Sequence, residues 1–467
     1  MQANPLTNRY ITATMKFKRF GIYALIYFSL LFVTAMVALK NDFNDTMFGF
    51  TAFCQMAFFF LWPAFISSNV INNELNNKSY DFFRMLPLSA KQKTWAVVFG
   101  ANIAPLILGI LNLILLILLS TTILMPLNIL ALTALYICGY FTLTHLGLLS
   151  STLNTKINKN ASIGIFIAIL LFFSMPLSIG LVQLVKNEKF LTKTNYFSFD
   201  IPVVLTSIIM MLAITFWAHI TIVRKFTKER HPLFNRKRAV LFYITFFLLY
   251  AGFFIPDIKT EIVGAMVSIT ATLLIITVLS STQSAPIFLE ELSRKAHKRN
   301  AVNFGMLLAE SNLLTASLQV ALWAVSLGGI LFWAGGFDLT ILLLLLSAVT
   351  GFMFLIIMGE AATQYKTIAS HIYYLAGTLA AIYLILPLIL GGLSDNAGFF
   401  IPVSPIGSII TLTDRMISEY QEFEASTLNI GALISIGFNI FISAIMYQLL
   451  HNKYKQELNT IRKMLKN

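Results

Sequence analysis

The chain has 467 residues, of which 57% are hydrophobic and only 11% charged, with 41 phenylalanines. No soluble fold buries that much apolar surface, so the composition specifies an all-α polytopic membrane protein. The formal charge of +13 raises the question of nucleic acid, and its distribution along the chain answers it as membrane topology.

Residues 1–19 are polar and basic, with Arg9, Lys16, Lys18 and Arg19 ahead of an apolar run too long for a signal-peptide core. They read either as an interfacial helix on the cytoplasmic surface or as a disordered tail. Twelve apolar segments of bilayer-crossing length follow: 20–39, 47–67, 95–118, 129–149, 162–185, 202–223, 240–255, 262–281, 315–333, 340–358, 372–393 and 429–450.

An even number of spans puts both ends on one side. Most of the 33 Lys and Arg residues lie in the termini and the even-numbered connections, while most acidic residues lie in the odd-numbered ones. Both termini are therefore expected in the cytoplasm of a multi-pass inner (plasma) membrane protein, and no nucleic-acid partner is implied. A basic, proline-containing connection at 224–239 separates a first six-helix unit at 20–223 from a second at 240–450, and a basic tail occupies 451–467.

Three short patterns recur in the same order in the two halves. Ser67-Ser68 followed by Glu74-Leu75 and Lys78 matches Ser280-Ser281 followed by Glu291-Leu292 and Lys295. Pro176-Leu177-x-x-Gly180 matches Pro387-Leu388-x-x-Gly391, and Ile201-Pro202-Val203 matches Ile401-Pro402-Val403. Six spans per copy make the repeats parallel, with a path for cargo between them. Pro63, Pro105, Pro176 and Pro387 sit inside spans and are expected to kink them; Pro176 and Pro387 read either as packing features or as equivalent hinges lining that path.

The stretch from Ser67 to Lys93 is a polar island between the second and third spans. Ile71, Leu75, Phe82 and Leu86 fall on one helical face, Glu74 stands four residues before Lys78, and Pro87 ends the pattern. The spacing predicts one amphipathic surface helix, either a passive connector or a surface that receives force from a soluble partner; Glu74 either caps this helix or touches that partner.

All charged residues fall in connections or at span ends, and the polar groups within spans are neutral amides such as Gln55, Asn102, Asn112, Gln319 and Asn439. Carriers coupled to ion gradients usually need titratable groups at mid-membrane, so this pattern weakens ion coupling without excluding it. Cys54 and Cys138 lie in apolar runs and imply neither a disulfide nor a metal site. His145 and His219 near span ends suit packing better than ligation, and no glycine-lysine phosphate loop is present.

At Glu74 and at DFFRMLPLSAKQK, Asp81 to Lys93, the sequence resembles the type-2 export class of ATP-binding cassette permeases. That class carries an acidic residue after the second span, then a leucine-proline pair and basic residues before the third. IPVSPIGSIITL, Ile401 to Leu412, is similar to its apolar stretch before the last span. The resemblance covers residues 1–223 best. In the second half Asn303 and Phe304 stand where Leu86 and Pro87 stand in the first.

The resemblance implies a fused pair of six-helix units. Two copies of a cytoplasmic nucleotide-binding ATPase subunit would dock near Glu74, Lys78, Arg84, Glu291 and Lys295. ATP and Mg would sit on those partners, with no cofactor in this chain. The alternative is a gradient-driven twelve-helix secondary carrier, a class whose glycine- and aspartate-rich second connection has no counterpart in the glycine-free stretch from Ser67 to Lys93.

Overall fold

The computed structural model describes residues 4–39, 43–121, 126–153, 193–197, 199–228, 232–254, 260–281, 311–333, 338–365 and 425–466, together with isolated positions in 290–294 and 402–411. Pro176, Gly180, Pro387, Gly391, Glu291 and Lys295 lie outside the described residues, as do the expected spans at 162–185 and 372–393. Within what is described, eight helices are long and apolar enough to cross a membrane. The chain is an all-α polytopic membrane protein, with one short ribbon of two strands among the described residues, β1 (Lys193–Tyr196) and β2 (Phe199–Pro202).

The chain divides into two compact units, the first built from Met1–Asn195 and Phe199–Glu229, the second from Tyr196–Ser198 and Arg230–Asn467. In the first unit, α1 (Pro5–Thr14) precedes α2 (Phe17–Ala38), and α3 (Phe43–Met56) runs through a π-helical segment at Ala57–Leu61 into α4 (Trp62–Asn76). Two short helices follow, α5 (Tyr80–Met85) and α6 (Ala90–Trp95). A second π segment, Ala96–Ala101, then leads into α7 (Ile103–Ser120), α8 (Pro126–Leu153) and α9 (Val203–Thr227).

Both π segments have the same cause. A proline cannot donate a backbone hydrogen bond, and its ring collides with the carbonyl four residues earlier. For Pro63 that carbonyl belongs to Phe59, and for Pro105 to Ala101; each lies in the π segment preceding its proline. The wider turn is how the helix passes the obstruction. Two carbonyls inside the second π segment, those of Val97 and Val98, also take side-chain donors, where hydrocarbon offers none. Asn102 Nδ2 lies 3.3 Å from the Val97 oxygen and 3.2 Å from that of Val98, while Tyr140 on α8 donates its hydroxyl to Val98 at 2.7 Å.

Glycines on neighbouring helices take up the side chains this arrangement thrusts outward. A Cβ at Gly109 would strike the Phe59 ring, and one at Gly139 the Phe60 ring. At Gly147 a Cβ would stand 2.5 Å from the Ala64 carbonyl oxygen, so α4 and α8 pack there with backbone against backbone.

The neutral amides act as ties between helices. Asn112 on α7 accepts from Tyr27 of α2 at 2.8 Å and donates to the Thr51 carbonyl and to Gln55 of α3. Asn102 donates to Ser67 Oγ at 2.9 Å.

The second unit comprises α10 (Arg236–Phe254), α11 (Thr260–Ser281), α12 (Asn312–Trp333), α13 (Leu339–Tyr365) and α14 (Ala425–Lys466). Trp323 is fully buried, donates to Thr270 Oγ1 and meets Phe352 edge-on. Gln319 of α12 donates to Ser281 Oγ of α11 at 3.0 Å. This amide-to-serine bond has the same form as Asn102 to Ser67, but it uses the second serine of its recurring pair where Asn102 uses the first.

Two boundaries differ from expectation. The basic connection expected at 224–239 is helical at both ends, since α9 runs to Thr227 and α10 starts at Arg236. The expected tail at 451–467 is a continuation of α14, because nothing in 451–466 breaks a helix.

Gly147→Ala is expected to destabilise the chain by about 1–3 kcal/mol, since neither backbone can give way. Gly437→Ala on α14, where a Cβ meets nothing within 4 Å, should be neutral or stabilising by up to about 1 kcal/mol. Unfolding of both variants in mixed micelles checks the contrast.

Candidate functional site

The polar island folds as an elbow rather than as one amphipathic helix. The candidate span within the continuous helix from α3 to α4 covers Thr46–Asn76, 31 residues. At about 1.5 Å per residue it is about 46 Å long, some 16 Å more than the hydrocarbon requires. Its last turn is closed by paired reverse bonds. Ser79 N donates to the Glu74 carbonyl at 2.9 Å and Lys78 N to that of Leu75 at 3.1 Å, with Lys78 at φ 55°. This is the Schellman closure, in which the left-handed position is usually glycine. A helix ended this way cannot continue through Lys78, so the single face drawn through Ile71, Leu75, Phe82 and Leu86 is not realised. Ile71 is buried, while Phe82 is 54% exposed.

Beyond the turn, α5 buries Phe83, which meets Phe226 of α9 edge-on, and exposes Phe82, Arg84 and Met85. Leu86 turns extended ahead of Pro87. Ser89 then opens α6 with a reciprocal cap: its Oγ accepts from Gln92 N, and Gln92 Oε1 accepts from Ser89 N.

Lys93 ties the two short helices together, donating Nζ to the Arg84 carbonyl at 2.9 Å and lying over the Phe83 ring. Burial, and then the neighbouring Arg84 guanidinium, hold the Lys93 ammonium below the usual lysine range.

Glu74 sits in the last turn of α4 and is 5% exposed. Its ion pair is with Arg9 of α1, Nη2 to Oε2 at 3.0 Å, and not with Lys78. Tyr10 donates its hydroxyl to Oε1 at 3.1 Å, and the Ser79 hydroxyl donates to Oε2. Burial first, then the Glu74 charge, push the Tyr10 phenol well above its ordinary range, so it remains a donor.

The helix α1 is thus a strap across the elbow. It buries Leu6 and packs on the π segment at Ala96–Ala101, where Gly100 faces Thr7 and Tyr10; Asn4 Nδ2 also donates to the Gln92 carbonyl.

Of the coupling residues expected here, Lys78 and Arg84 are exposed and Glu74 faces inward. The sequence pattern did not single out Arg9, Tyr10, Ser79 or Lys93. Nor did it pair His145 with His219, whose rings lie on α8 and α9 with Nε2 and Nδ1 3.3 Å apart. Comparison with protein-family models, with characterised proteins and with solved structures finds no match.

Arg9→Ala and Glu74→Gln are each expected to cost about 1–3 kcal/mol, with a coupling above about 1 kcal/mol in a double-mutant cycle. Lys78→Gly should stabilise the chain by about 1 kcal/mol, by relieving the left-handed backbone. Reversible unfolding in mixed micelles reads both effects.

Proposed function

We propose that this chain is the transmembrane subunit of an ATP-driven exporter, with two copies of a cytoplasmic ATPase subunit carrying ATP and Mg. The observation that supports it most is the elbow between the second and third expected spans. Phe82, Arg84 and Met85 project from α5, whose base is locked by Phe83, Lys93 and the α1 strap. A small apolar and basic knob on a stiff mount can receive a push from a soluble partner and pass it to α4 and α6.

Charge placement agrees with an external driving force. In the eight candidate spans the charged residues are Glu74, Arg224, Lys225, Glu360, Lys453 and Lys455, all towards the ends. The fuller architecture, twelve helices in two parallel six-helix repeats with both termini cytoplasmic, belongs to the same proposal. It draws support from the amide-to-serine bonds Asn102–Ser67 and Gln319–Ser281. A second docking point near Glu291 and Lys295, and hinges at Pro176–Gly180 and Pro387–Gly391, rest on the sequence pattern alone.

Affinity isolation of the intact chain from its native membrane is expected to bring down an ATPase whose activity rises on reconstitution with it. Phe82→Ala combined with Met85→Ala should lower that stimulation at least about tenfold, as for a buried hot-spot pair, while leaving helix content unchanged. Cargo movement by the purified chain alone on an ion gradient would overturn the assignment in favour of a secondary carrier.

A further inference from the structure

Beside the elbow, α6, α8 and α9 of the first unit bring together a lysine, two histidines and a run of aromatic rings. Lys91, Trp95 and Phe99 follow one another at four-residue intervals along a single ridge that runs from α6 into the π segment. All three are exposed, Trp95 at 40% and Phe99 at 38%. Trp95 stacks on Phe99 with ring centroids 5.5 Å apart, and the His219 ring lies 5.2 Å from Trp95. Phe141 of α8 closes edge-on against both Trp95 and Phe99.

The order of residues along the ridge is informative. A lysine, then a tryptophan, then a phenylalanine, leading into the apolar helix α7, matches the passage from phosphate layer to interface to acyl chains. Lys91 makes no ion pair among the described residues, and it lies close enough to His219 to act on it electrostatically.

Hydrogen bonding orients the two histidines. His145 is wholly buried and holds Nδ1 2.7 Å from the Phe141 carbonyl oxygen, so Nδ1 carries its proton. Its Nε2 therefore accepts, and His219 Nδ1 donates to it at 3.3 Å. That commits one nitrogen of His219 and leaves Nε2 with no hydrogen-bond partner among the described residues. An anionic oxygen arriving there would offset the neighbouring Lys91 charge and let Nε2 take up a proton to donate, the other N–H being already held by His145.

We propose that Lys91, His219 and Trp95 bind the phosphate of an anionic phospholipid, with Phe99 and Phe141 lying against its acyl chain. The apolar continuation of the ridge selects a lipid over a free anion. An ammonium with no ion-pair partner among the described residues selects an anionic headgroup over a zwitterionic one.

The test uses the full chain in vesicles containing brominated-acyl phosphatidylglycerol or brominated-acyl phosphatidylcholine. The Trp95 signal is taken as the fluorescence difference from Trp95→Phe. Phosphatidylglycerol is expected to quench Trp95 at about fivefold lower mole fraction, the increment one basic residue supplies at a membrane surface. Lys91→Gln and His219→Gln should each abolish that preference with helix content unchanged. Since Lys91 is exposed, its replacement keeps the test decisive should the histidine variant unfold. Equal quenching by the two lipids would overturn the proposal, as would displacement of phosphatidylglycerol by millimolar inorganic phosphate, which would mark a free-anion site.

Discussion

Inside a bilayer a backbone carbonyl has no water to turn to, and two prolines release carbonyls in the first unit. Much of the local design answers that constraint. The π segments before Pro63 and Pro105 let the helices pass, and within the second of them Asn102 and Tyr140 donate to the Val98 carbonyl. Gly109 and Gly139 leave room for the phenylalanines that the widened turn displaces. Asn102 also ties the second span to the third through Ser67. Proline, amide, tyrosine and glycine are one dependent set, so replacing any member strands another.

A second dependence governs the elbow. Glu74 would be an uncompensated charge at the end of α4 were it not for Arg9, Tyr10 and Ser79, since burying an unpaired carboxylate is costly. The strap and the reversal of the chain after Asn76 are two consequences of one carboxylate's need for partners. What remains outward is chemically plain: two apolar side chains, Phe82 and Met85, with Arg84 between them.

Sequence periodicity locates the long helices well, because apolar runs of bilayer length have few other uses. It also marks Pro63 and Pro105 as interruptions, since the missing N–H is a local property. The elbow was less legible. Four apolar residues at helical spacing satisfy a single-helix pattern whether or not the chain stays helical, and a left-handed lysine at 78 breaks it without any glycine to announce the break. The carboxylate's partner was hidden for another reason: Arg9 and Glu74 are 65 residues apart, and the basic N-terminus read only as an interfacial helix or a tail. His145 and His219 each looked solitary because the bond between them spans 74 positions. Pairing between distant spans depends on how the helices pack, and packing leaves no regular period in the chain.

The last helix has a mechanical corollary. Ala425–Lys466 is 42 residues without a break, a rod about 63 Å long that outruns the hydrocarbon by about half its length. It has no joint at the water boundary to absorb rotation. A tilt of about 10° around its midpoint carries its tip about 5 Å sideways, so a small reorientation within the lipid becomes a displacement in solution comparable to one helical turn.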